Sequence, residues 1–149
     1  MQVVMKFGGT AVESGERIRH IANLALNYQQ KRGFDVILVT SAVRGMTDEI
    51  LAVAESVRRG DSAKVNQFVE RIKRVHLSLI DFSIFDEAKR KEAKNTVCEL
   101  VELVDNVLHG MLPMKEVTPK MLDYLLSFGE RPSTFIVSVA IRDLSLIHI

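Results

Sequence analysis

The chain has no tryptophan, one cysteine and three prolines in 149 residues, and aromatic residues make up only 6% of it. A single thiol, Cys98, excludes an intrachain disulfide and fits a reducing compartment such as the cytoplasm. Basic and acidic residues nearly balance, 20 against 19, so no excess of either sign draws nucleic acid or an acidic membrane. Apolar runs such as Val36–Val39 are far too short to span a bilayer, and the start of the chain lacks the basic segment and long apolar stretch of a signal peptide. His20, His76, His109 and His148 show neither H-x-x-x-H nor H-E-x-x-H spacing and have no cysteine or carboxylate cluster beside them. No metal ligand is assigned. Neither G-x-x-x-x-G-K-[ST] nor G-x-G-x-x-G occurs, which excludes the two commonest phosphate loops.

What is present is a short run, Lys6-Phe7-Gly8-Gly9-Thr10, after the apolar segment Val3-Val4-Met5 and before a long helical pattern. It places a cation, two residues without side chains and a hydroxyl at a strand-to-helix turn. Gly8 and Gly9 are free to adopt positive φ, so backbone N–H groups there can close around anionic oxygens. A following helix adds the partial positive charge of its N-terminus, and Lys6 adds a full charge. A plain tight turn with a solvated lysine explains the same residues.

Residues 2–7 read as a strand. Glu16 to Arg32 reads as an amphipathic helix, with Ile18, Ile21, Ala22, Ala25 and Tyr28 at helical spacing and Gly33 as its stop. Val36-Ile37-Leu38-Val39 suits a strand of a parallel sheet, buried on both faces. The resulting βαβ unit brings the turn after Lys6 and the turn after Thr40 to one sheet edge, beyond the carboxyl ends of the strands, where open α/β sheets bind ligands. The second turn, Thr40 to Thr47, is rich in hydroxyls. There Ser41 and Thr47 either face a ligand or satisfy turn and cap groups, with Thr47 the expected N-cap of the next helix.

Asp61 to Met111 is almost wholly helical in pattern. Its stripes, Val65, Phe68, Val69, Ile72, Leu79 and then Val97, Leu100, Val101, Val104, Leu108, read as core, and Glu87 to Lys94 as a solvated face. Cys98 falls within this helical pattern as a small, partly buried side chain. Thr118-Pro119 marks a further helix start. That helix reaches Ser127-Phe128-Gly129-Glu130-Arg131, which sets a carboxylate among apolar neighbours. Glu130 either pairs with Arg131 or Lys120 on an open face or binds a ligand cation.

With these three stretches in hand, the sequence resembles the aspartate kinases of the amino acid kinase superfamily. Lys6 to Val12 is similar to K-F-G-G-T-S-V, Ser41 to Thr47 to S-A-x-x-G-x-T, and Ser127 to Glu130 to S-x-G-E, in the family's order. The resemblance implies a three-layer α/β/α sandwich, of which a helix-rich N-terminal part is expected here. It also implies phosphoryl transfer from ATP, with Mg²⁺ carried on the nucleotide, to L-aspartate, giving 4-phospho-L-aspartate on the route to lysine, threonine and methionine. By that resemblance Lys6, Phe7, Gly8, Gly9 and Ser41 lie on ATP, Lys6 is catalytic, and Thr47 and Glu130 hold aspartate, with Thr10 and Arg131 as further candidates. A homo-oligomeric, cytoplasmic enzyme is implied.

Two departures stand out. Ala11 replaces the family's serine, and Ser145-Leu146-Ile147-His148-Ile149 does not continue the family pattern. Residues 1–144 are therefore expected to form the family domain's first part, inactive alone, and 145–149 a non-native tail. Another amino acid kinase, or a non-catalytic amino-acid- or nucleotide-binding module, is the alternative.

Overall fold

The computed structural model describes residues 1–147. Strand β1 (Gln2–Phe7) is followed by a 3-10 turn (Gly9–Val12), helix α1 (Gly15–Arg32), strand β2 (Asp35–Thr40), and helices α2 (Met46–Arg59), α3 (Ser62–Ser83), α4 (Glu87–Met111) and α5 (Pro119–Ile147). The two strands pair in parallel, from Gln2 against Asp35 to Phe7 against Thr40, so their carboxyl ends finish side by side. This is the expected helix-rich α/β fold. Ser145–Ile147 continue α5, while His148 and Ile149 of the expected tail lie outside the described residues.

Local signals account for the helix ends. Ser14 caps α1 by accepting from the Arg17 N–H at 3.3 Å, and Gly33 closes it at φ 65, a left-handed conformation that a residue without Cβ reaches at little cost. Asp61 and Asp86 cap α3 and α4 in the same way, through the N–H groups of Lys64 and Lys89. Thr118 caps α5 ahead of Pro119, as expected. Thr47 does not cap α2. Gly45, at φ 81, occupies that position, because the sharp turn out of Val43 needs a left-handed residue before the helix can begin. Thr47 is the second residue of the helix and is exposed.

The helices pack around one apolar core built from Ile18 and Ile21 of α1, Ile50 and Val57 of α2, Ile72 and Ile80 of α3, Val97 and Leu108 of α4, and Phe128 and Ile136 of α5. Both predicted stripes of the central helices enter it, with Leu100 at its margin. The sheet differs from expectation. Val36, Leu38 and Thr40 turn inward, but Ile37 and Val39 are 46% and 44% exposed and Val4 64%. Among the described residues only two strands form, and helices cover one face of them, so alternate side chains of each strand remain in water.

Candidate functional site

The first two motif stretches meet at the carboxyl ends of the strands. The Ser41 N–H donates to the Phe7 carbonyl at 3.1 Å, and the Arg44 N–H donates to the Gly9 carbonyl at 3.2 Å. These bonds fasten the turn after β1 to the turn after β2. Gly9 is needed for the closeness of that approach rather than for positive φ. A Cβ there would lie 2.7 Å from the Ala42 carbonyl oxygen and 3.1 Å from the Arg44 nitrogen. Gly8 holds φ −76, an extended conformation open to any residue, and a Cβ on it would meet nothing within 4 Å. The backbone freedom expected of the two glycines is thus unused.

The 3-10 turn is braced from behind. Arg17 donates to the Thr10 carbonyl at 2.7 Å and pairs with Glu13 at 2.9 Å, while Arg44 lies 3.9 Å from the same carboxylate. Lys6 is exposed, on the open face of the sheet, one residue before the strand ends. Phe7, in contrast, turns its ring into the core margin, so its backbone alone belongs to the turn. Thr10 is exposed and Ser41 half-buried.

The third stretch reaches the same place through α5. A Cβ on Gly129 would lie 3.1 Å from Ile50 Cδ1 and 3.2 Å from the Ala42 Cβ, so this glycine lets α5 press against α2 and the second turn. Glu130 follows it and is exposed. The Arg131 guanidinium sits 4.8 Å over the Phe128 ring, and no ion pair to Glu130 is formed among the described residues. Glu130 and Arg131 line a cavity of about 490 Å³ between α4 and α5, together with Thr96, Leu100, Ser127, Thr134, Phe135 and Ser138.

Two residues that motif reading missed join α5 to the strand end. Ser133, fully buried, donates from Oγ to the Ser41 carbonyl at 2.8 Å, and Thr134 Oγ1 lies 2.8 Å from Thr40 Oγ1. The available signal was a serine and a threonine directly after Pro132, a proline inside a helix, which leaves a carbonyl of the preceding turn without its N–H partner. Among the described residues no group of three or more His, Cys, Asp or Glu side chains converges as a metal site.

Comparison with known proteins decides the family. The amino acid kinase family model matches residues 1–146. The chain belongs to the amino acid kinase family. Within that family it is similar to chloroplastic aspartokinase 2 of Arabidopsis thaliana, at 36% identity over 91% of this chain and 23% of that protein. It is similar also to aspartokinase 2 of Bacillus subtilis, at 34% identity over 86% of this chain and 31% of that one. The chain thus spans less than a third of the length of these amino acid kinases. Its fold matches the crystal structure of Escherichia coli aspartokinase III in complex with aspartate and ADP, with a TM-score of 0.77 and 23% identity, over 97% of this chain and 30% of that one.

Proposed function

We propose that this chain forms part of an aspartate kinase catalytic domain and carries the motifs that meet ATP and L-aspartate. The observation that carries the proposal is the convergence of three separate stretches, around Gly9, Ser41 and Glu130, at the carboxyl ends of two parallel strands. Aspartokinase III, which shares the fold, was crystallised with aspartate and ADP.

The reaction suits these residue types. A β-carboxylate is ionised near neutral pH, since a model aspartate has a pKa of about 3.9, so the nucleophile needs no general base. One of its oxygens attacks the γ-phosphorus, the bond to the β-phosphate oxygen breaks, and ADP leaves as an acyl phosphate forms. The obstacle is the approach of one anion to another, so catalysis rests on positioning and charge neutralisation. Lys6 and the N–H groups of the Gly8–Gly9 turn take the phosphate oxygens, with Thr10 at the rim. Glu130 takes the substrate ammonium, beside Thr47 and Arg131. Mg²⁺ carried on the nucleotide would neutralise phosphate charge. A homo-oligomeric enzyme of a reducing compartment goes with this assignment. Because the 149 residues span under a third of these relatives, binding without turnover is expected of them alone.

Calorimetric titration of the chain with ADP and Mg²⁺, and then with L-aspartate, tests the assignment. Lys6→Ala should weaken ADP by tenfold or more, as expected for one charge-assisted contact of about 1.5–3 kcal/mol. Glu130→Gln should abolish the preference for L-aspartate over its deaminated analogue, which lacks the ammonium group. Equal ADP affinity in wild type and Lys6→Ala removes Lys6 from the phosphates, and absence of ADP binding in the wild-type chain overturns the assignment.

A further inference from the structure

The Ser133 hydroxyl touches the backbone of two candidate site residues at once. Its Oγ lies 2.8 Å from the Ser41 carbonyl oxygen and 3.0 Å from the Glu130 carbonyl oxygen, and it is fully buried. A hydroxyl has one proton, so the two carbonyls share it, with the shorter contact made across the molecule to Ser41. A serine in a helix ordinarily satisfies itself on a carbonyl of its own preceding turn. Here that local bond is stretched into a bridge between residues 92 positions apart. The next residue repeats the link, because Thr134 bonds Thr40 at 2.8 Å, so two successive α5 side chains grip the last residue of β2 and the first residue beyond it.

We infer that Ser133 and Thr134 are positioning residues: they set the separation between the turn after β2 and the α5 segment that bears Glu130. This rests on the assignment of those two segments to the nucleotide and the amino acid. Nothing else seen at this end ties Glu130 to the turn so directly. Gly129 permits contact between α5 and the turn but supplies no directional bond, and Glu130 itself has no ion-pair partner among the described residues. Phosphoryl transfer is sensitive to such spacing, since a displacement of about 1 Å can cost on the order of a hundredfold in rate. Neither hydroxyl is needed as a contact to either ligand.

The experiment combines amide hydrogen exchange of the 149-residue chain with ADP titration, in wild type, Ser133→Ala, Ser133→Thr and Thr134→Val. The readout amides are Ser41 and Arg44, which are held by Phe7 and Gly9. Ser133→Ala should speed their exchange about tenfold, while amides of α3 and α4 keep wild-type rates, and should weaken ADP by a similar factor, equivalent to about 1.4 kcal/mol. Ser133→Thr, which keeps the hydroxyl, should restore both. Thr134→Val keeps the side chain's shape and removes one link, so it carries the test if Ser133→Ala fails to fold. Wild-type exchange at Ser41 and Arg44 in both Ser133→Ala and Thr134→Val overturns the inference. So does acceleration spread evenly over all helices, which would make the bonds general supports. If exchange rises locally but the wild-type chain binds no ADP, the latch is upheld and the nucleotide assignment is what falls.

Discussion

Asp143 is an acid kept in its charged form with almost no water around it. It is 1% exposed on α5, and burial alone would raise its pKa. The N–H groups of Phe85 and Asp86, each at 3.0 Å, outweigh that, together with Arg19 at 3.2 Å and the nearby Lys89 charge, and hold the carboxyl below its usual range. The sign follows from linkage: a depressed folded-state pKa gives stability that is complete above the unfolded value of about 3.9 and is lost as pH falls through the folded value. Asp143→Ala should cost about 3 kcal/mol at neutral pH, read by urea unfolding, because it strands two N–H groups and a guanidinium. It should also flatten the acid limb of the stability profile below about pH 4. His76 tests the opposite chemistry. It is fully buried, its Nδ1–H donates to the Ile72 carbonyl at 2.7 Å, and its Nε2 has no partner. Burial pushes its pKa down, against the smaller opposing effect of that hydrogen bond. Stability from this site is complete above an unfolded pKa of about 6.5 and falls as pH drops below it. A thermal-melt series from pH 7.5 to 5 should therefore slope downward in wild type and less so in His76→Leu. Neither residue stood out in the sequence, since a lone aspartate or histidine acquires its meaning from partners far along the chain. Gly33 and Thr118 were legible because a helix end is settled within four residues.

At the scale of elements, glycines mark where pieces of backbone press together. Gly15 begins α1 against the end of α3, and a Cβ there would stand 2.5 Å from the Phe82 Cβ and 2.6 Å from the Phe82 carbonyl carbon. Gly15→Ala gains about 1 kcal/mol of helix propensity yet should lose about 2 kcal/mol net in urea unfolding, because backbone rather than a flexible side-chain tip must move. Gly9→Ala should act differently, since its clash is with the Ala42 carbonyl at the paired turns. It is expected to abolish ADP binding in calorimetry while circular dichroism keeps its helical signal; retained affinity would show that the turns can part without consequence. The helices themselves were largely readable, as their apolar spacing fixed both type and buried face. The register of one element on another was not, because periodicity says which face is buried but not against what. That is why Thr47 was expected as a cap and the α5 hydroxyls went unnoticed.

For the molecule as a whole, the feature with most consequence is the uncovered side of the sheet. Val4, Ile37 and Val39 stand in water on a two-stranded sheet with both outer edges unpaired among the described residues. Such a surface invites pairing with another copy. Light scattering of the chain should rise with concentration, and Ile37→Thr with Val39→Thr should suppress that rise while the melting temperature shifts little, since these side chains lie outside the core cluster. An unchanged profile would place the adhesive surface elsewhere. A sequence pattern of four apolar residues in a row could not anticipate this, because the run would be the same whether one face or two were covered.

The contact between Arg19 and Asp143 also sets a clock. Its partners are 124 residues apart, so during synthesis at about 5–20 residues per second the first helix waits roughly ten seconds for the carboxylate that locks it. The two strands, offset by 33 residues in register, are complete long before that. In that interval both apolar strand segments have been synthesised without α5 to brace them, and a chaperone that binds extended apolar segments would find its window there.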